Sequence, residues 1–190
     1  MIVESLIIAV IIIFFMKNKN LNNLKTFDFK NVFSVFLGII LLFLINFLTG
    51  HDFGKVTDFV IKYYKYFHII SLLLIVYSLI SNYKNIGFFI SSIGVFLNIL
   101  PIILNGKMPV SVDALYKTGN ERVIDILINN RSLSHGIFES PKLYILSDII
   151  SFYKIIGSST VISIGDIIIS IGLIFALVII VRDRGARWQD

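Results

Sequence analysis

Cysteine is absent from this chain of 190 residues, tryptophan occurs once, proline and histidine three times each, and charged residues make up only 15%. Without cysteine there is no disulfide framework, no thiolate nucleophile and no Cys-ligated zinc or iron-sulfur centre. The histidines, His51, His68 and His135, stand in separate segments with no metal-ligand spacing, so neither a metal nor another cofactor is expected. With 56% hydrophobic side chains and a mean hydropathy of +0.87, polar groups are too few to cover a water-soluble globule of this size. The 17 Lys and Arg give a net charge of +5 but are scattered through connecting segments, which argues against a nucleic-acid partner and for charges that orient a membrane protein.

What the chain does have is long apolar runs. A membrane-spanning helix needs about 20 mostly apolar residues. Five segments approach that length: Met1–Met16, Val32–Thr49, Tyr66–Ser81, Ile86–Leu104 and Val161–Val181. The first lacks a basic leader and a small-residue cleavage site, and its lysines follow the apolar run, so it reads as a retained span. The expected fold is an all-α, polytopic bundle of five transmembrane helices. Residues 1–104 hold the first four, 105–160 form an extracytoplasmic segment, and 161–190 carry the fifth helix and a basic tail.

Sidedness follows from the loops. Lys17, Lys19, Lys25 and Lys30 follow the first span, Lys84 follows the third, and Arg182, Arg184 and Arg187 follow the fifth. The positive-inside tendency makes these cytoplasmic, with the N-terminus outside and the C-terminus inside a bacterial plasma membrane. The outward stretch reads as short amphipathic helices at Val112–Tyr116, "ERVIDILINN" and "LYILSDIISFYKII", lying on the bilayer or capping the bundle.

Polar residues inside the spans are the candidates for chemistry. Ser91, Gly94, Asn98, Pro101 and Asn105 fall on one arc of a helix turning 100° per residue. In the last span Ser163, Asp166 and Ser170 share a face, with Gly165 and Gly172 expected on other sides. A carboxylate within a span is costly and should face the bundle or a wet cavity, so Asp166 is the leading functional candidate; as interhelical glue it would contribute only about 0.6 kcal/mol. Asn98, Asn105, Lys107, Ser163 and Asp166 are the expected ligand-binding set. Lys107 near Asp166 and His135 would make a polar mouth for an anionic headgroup or small anion; a snorkelling lysine in an interfacial turn is the plainer reading. His135 is a candidate base, and Asp113 or Asp148 could fold back as a second carboxyl, although Asp is common in caps and turns. His51 and His68 receive no role.

The blocks "LNILPIILNGKMPVS", "LYILSDII" and "SIGDIIISIG", with His135 between the first two, resemble an uncharacterised bacterial membrane-protein family, domain of unknown function 5317. The resemblance implies a small polytopic inner-membrane protein and no particular activity. A partial resemblance to lipoprotein signal peptidases rests on Gly94 with Asn98, and on Ser163, Gly165, Asp166 and Gly172. It implies an aspartic dyad, but Pro101 stands where that family has its first catalytic aspartate.

Three functions therefore remain open on sequence grounds. The first is binding of a lipid headgroup, small solute or protein partner between the fourth and fifth spans. The second is an intramembrane aspartic-type hydrolase. The third is a small transporter subunit, for which five helices do not divide into inverted halves and a homo-oligomer would have to supply the path. Membrane lipids are expected partners in every case.

Overall fold

The computed structural model describes residues 1–154 and 157–182, so Arg184 and Arg187 lie outside the described residues. Apolar runs become helices wherever they are long enough to satisfy their own backbone polar groups without water. These are α1 (Ile2–Phe15), α3 (Val32–Gly50), α4 (Lys55–Ser81), α5 (Ile86–Asn105) and α8 (Ile164–Val181), with a single turn of helix α2 (Asn23–Thr26) between the first two. Helices α3, α4, α5 and α8 are long and apolar enough to cross a membrane. Helix α1 has 14 residues, about 21 Å at 1.5 Å per residue, which falls short of a bilayer core of about 30 Å. Phe14, Phe33 and Phe43 are each more than 70% exposed, as suits rings that face hydrocarbon. The chain is thus a helical bundle of membrane type.

Helix α4 begins 11 residues before the expected third span. Its first turns are polar outside, with Lys55, Asp58 and Lys62 exposed, yet Thr57, Val60 and Tyr64 are buried at helical spacing. Tyr64 donates to Asn46 Oδ1 at 3.0 Å and packs with Ile45, tying the start of α4 to the end of α3. A tight turn joins α4 to α5. Within it Asn85 caps α5 by accepting from Gly87 N at 3.0 Å, and Asn82 exchanges hydrogen bonds with the backbone of Lys30.

Helices α5 and α8 run antiparallel in the closest contact of the bundle. A β-carbon placed on Gly87 would come within 2.2 Å of Ala176 N, one on Gly172 within 2.3 Å of Ser91 Oγ, and one on Gly94 within 2.6 Å of Gly165 O. The positions 87, 91, 94 and 98 therefore face 176, 172, 169 and 165, both in 4-3-4 steps. Gly165 and Gly172, expected on other sides of the last span, are at the centre of this seam. Small side chains let the backbones approach where lipid gives no hydrophobic drive to association. Helix α1 lies parallel to α8: Asn20 N donates to Val181 O at 2.8 Å at one end, and Met1 to Glu4 share a cavity with Asp166 at the other.

Residues 106–154 and 157–163 cap the end of the bundle opposite the Lys30 and Lys84 loops. The expected helices at 112 and 121 are present as α6 (Val112–Lys117) and α7 (Glu121–Ile128). Their apolar sides meet one another: Val123, Ile124 and Leu127 pack with Val110, Ala114, Leu115 and Val161 in a separate small core. The third expected helix, from Leu143, is instead a 3-10 turn (Tyr144–Leu146) followed by strand β3 (Ile150–Phe152), which pairs antiparallel with β4 (Thr160–Ile162). Its last residues, Ile155 and Ile156, lie outside the described residues. Alternation in Ile150-Ser151-Phe152 suits a strand, and Ser151 Oγ donates to Ala114 O at 2.7 Å.

Candidate functional site

The "NGKMPVS" block builds the site. After Gly106 ends α5 in the left-handed conformation (φ 86°), Met108–Pro109 form β1 beside β2 (His135–Gly136). Met108 N donates to Ser134 O at 2.8 Å and Val110 N to Gly136 O at 2.9 Å. On the other flank Asp148 N donates to Pro109 O at 3.0 Å and Ser111 N to Asp148 O at 2.8 Å. One short strand thereby holds His135 on one side and Asp148 on the other, bringing His135 Nε2 to 3.5 Å from Asp148 Oδ2. Ser134 Oγ lies 2.7 Å from His135 Nδ1 and orients the ring.

Across from this pair stand α5 and α8. Ser163 is the N-cap of α8 and Asp166 completes a capping box: Asp166 N donates to Ser163 Oγ at 3.0 Å, and Ser163 N to Asp166 Oδ2 at 3.1 Å. Asn98 closes the ring from α5, its Nδ2 donating to Asp166 Oδ1 at 2.9 Å and its Oδ1 accepting from Ser163 Oγ at 2.7 Å. A β-carbon on Gly165 would lie 1.9 Å from Asn98 Oδ1, so glycine there is what lets the amide reach the cap.

The two constellations border one cavity of about 540 Å³. Its polar wall is formed by Asn98, Asp166, His135, Asp148 and His68, and its apolar wall by Leu72, Ile102, Met108, Val161 and Ile162. Met1 to Glu4, Lys154 and Thr160 complete the lining. Met1 N pairs with Glu4 Oε2 at 2.8 Å. A smaller chamber of about 210 Å³ adjoins it, sharing His135, Asp148, Thr160 and Val161 and otherwise lined mostly by aliphatic side chains.

Burial sets the protonation of the outer pair. The Asp148 side chain is 8% exposed, and loss of hydration, followed by the nearby charge of Asp166, pushes its pKa up to about 8. His135 is held below its ordinary value by burial, which the Asp166 charge partly offsets, although 43% of its side chain stays accessible along the cavity. At neutral pH the pair is therefore a protonated acid facing a neutral imidazole. That is an uncharged couple able to donate or accept a proton.

Of the residues expected from the sequence, Asn98, Ser163, Asp166 and His135 come together at or beside this cavity. Asn105 and Lys107 do not. Asn105 clamps the cap to the helix end, its Nδ2 donating to Pro101 O at 2.8 Å and to Lys142 O at 2.9 Å. Lys107 donates to Asn130 Oδ1 at 3.0 Å and to Ser132 O at 2.5 Å, so the expected mouth of Lys107, Asp166 and His135 does not form. Asp113 is exposed in the first turn of α6; Asp148 is the carboxyl that folds back. His68, given no role from the sequence, lines the cavity. Its signal was the polar stripe Thr57, Tyr64, His68, Ser71 and Ser78 at helical spacing along α4. Among the described residues no group of three or more His, Asp or Glu is placed to hold a metal ion.

Fold and cavity together define a polytopic helical bundle with a polar pocket under an end cap. Residues 26–178 match the model of DUF5317, a family of unknown function, and the chain belongs to that family. No curated protein and no solved structure matches it, so the lipoprotein signal peptidase resemblance gains no support.

Proposed function

We propose that this protein is a multi-pass membrane protein that binds a small ligand, a lipid headgroup or a solute of similar chemistry, in the cavity between α4, α5, α8 and the cap. The observation that carries this reading is the convergence of three carboxyls, Glu4, Asp148 and Asp166, and two imidazoles, His68 and His135, from five separated segments on one cavity with an apolar wall. A cavity of that composition at a bundle end is suited to a ligand whose polar group enters from the interface. Binding is preferred to aspartic-type hydrolysis because both oxygens of Asp166 already accept protein hydrogen bonds in the cap of α8, which commits the carboxylate to structure rather than to activating a water. The proposed setting is a bacterial plasma membrane with the cap outside and the Lys30 and Lys84 loops in the cytoplasm, as the lysine distribution favours.

Native mass spectrometry of the purified protein tests the reading. Wild type is expected to carry a small ligand that Asp148→Asn, with helix content unchanged, retains poorly. A wild type that carries none, from native membranes or after incubation with a membrane lipid extract, rules out the pocket as a binding site.

A further inference from the structure

The charge of the cavity and the chamber beside it specify the kind of ligand. Its cationic groups gather on Glu4: the Met1 amine pairs with it, and Lys154 lies near enough to be felt by it. Lys107, the cation expected to attract an anion, is turned to Asn130 and Ser132. The other titratable groups of the lining are Asp148, Asp166, His135 and His68. Asp148 is more than nine-tenths buried and borders both spaces. Among the described residues, the closest partner of its carboxyl is the His135 imidazole at 3.5 Å, at the outer limit of a hydrogen bond. Its backbone is fixed on both sides by Pro109 and Ser111, so it cannot swing away to water. A buried carboxyl with acceptor capacity in hand calls for a donor from the ligand.

The second chamber adds the other half of the ligand. Val110, Leu115, Val123, Ile126 and Leu127 line it, and it meets the polar cavity at His135 and Asp148. A group seated on Asp148 can therefore extend an aliphatic chain into a space where chain burial contributes about 25 cal/mol per Å². We propose that the pocket takes an aliphatic ammonium compound, its cationic head between Asp148 and Asp166 and its hydrocarbon portion in the chamber behind Asp148. This rests on the cavity being a binding site and names the class of ligand it takes. Binding displaces the proton that Asp148 otherwise holds, so affinity rises with pH until about 8, where the empty site ionises by itself. His135, His68 and Asp166 face the same head group, and Glu4 is shared between the two cations of the lining, the Met1 amine and Lys154.

Protein in lipid nanodiscs is titrated with hexylammonium, methylammonium, hexanoate and hexanol, with binding read by isothermal calorimetry against empty nanodiscs. Hexylammonium is expected to bind saturably, and more tightly than the other three. Asp148→Asn should weaken it roughly tenfold, the scale of one charge contact, while hexanol binding stays as it was. Leu127→Trp, which fills the chamber, should bring hexylammonium down to the level of methylammonium. Hexanoate binding as well as hexylammonium, or Asp148→Asn leaving the preference for the cation intact, overturns the ammonium assignment while leaving a pocket that binds. If no probe binds above the empty-nanodisc background, the assignment is overturned, and with no ligand retained in native mass spectrometry the pocket reading fails too.

Discussion

Asp166 and Asp148 show how two carboxyls in one cavity are given different tasks by what surrounds them. Asp166 sits at N3 of α8, where the helix N-terminus favours a negative charge and donors from Ser163 and Asn98 reach both of its oxygens. Asp148 has burial without comparable donors, and it keeps its proton. The consequence for stability runs opposite to the usual carboxylate. Because the folded pKa is raised to about 8 from 3.8, the native state binds the extra proton between those values, and that stabilisation is complete below about 4 and lost as pH climbs through about 8. His135 acts the other way. Its lowered pKa gives stability that is present above about 6.5 and lost as pH falls through the folded value. Between about pH 7 and 8, where an unfolded imidazole is already mostly neutral, the Asp148 effect dominates, so thermal unfolding followed by circular dichroism should show wild type losing on the order of 1 kcal/mol per pH unit. Asp148→Asn should be nearly flat over the same interval. A variant with the wild-type slope would place the titrating group elsewhere.

Among the elements, α5 and α8 carry the most specific packing, and their seam explains what the sequence disclosed and what it hid. The polar residues Ser91, Asn98, Ser163 and Asp166 were legible because each interrupts an apolar run and shares a helical face with the others. The glycines were misplaced for a geometric reason: Gly165 and Gly172 have no side chain to show a face, and their role appears only when the partner backbone is seen against them. The cap was harder. The segment from Leu143 has helical-looking apolar spacing, but Leu143 takes φ 55° and the chain goes on into a hairpin that pairs Ile150 with Ile162 and Phe152 with Thr160. Cross-strand pairing overrides local pattern. Asp148 was visible as one of two candidate second carboxyls, and only the pairing of Val110 with Asp148 distinguishes it from Asp113. The seam makes a definite prediction. Gly165→Ala would drive a methyl into Asn98 Oδ1 and Gly94 O, part the helices and break the amide bridge, costing about 1–3 kcal/mol as an overpacked contact does. Gly50→Ala, at the end of α3 with nothing within 4 Å of the added carbon, should change stability by about 0.5 kcal/mol or less. Equal losses from the two would mean that helix propensity, not close approach, is being measured.

At the scale of the whole molecule, the bundle has two chemically unlike ends. One holds the cap and the cavity; the other gathers Lys17, Lys19, Lys25, Lys30 and Arg182, with Asn20 N bonded to Val181 O where α1 and α8 finish together. Apart from crossing the bilayer, the helices hold these ends apart: α5 at 20 residues spans about 30 Å, the thickness of a hydrocarbon core. Lysines near span ends tend to stay on the cytoplasmic side, and long translocated segments are far less constrained by their charge, which is the ground for the proposed orientation with the mixed-sign cap outside. A ligand would then enter from outside, and the ammonium head would meet Asp148 at the outer interface. Since the sequence contains no cysteine, single replacements report sidedness without background. Lys142→Cys in the cap and Lys25→Cys at the opposite end both replace exposed side chains. In intact cells a membrane-impermeant maleimide should label the Lys142→Cys protein at once and the Lys25→Cys protein only after permeabilisation. The reverse pattern would put the cavity in contact with the cytoplasm, and its ligand would have to come from the cell interior.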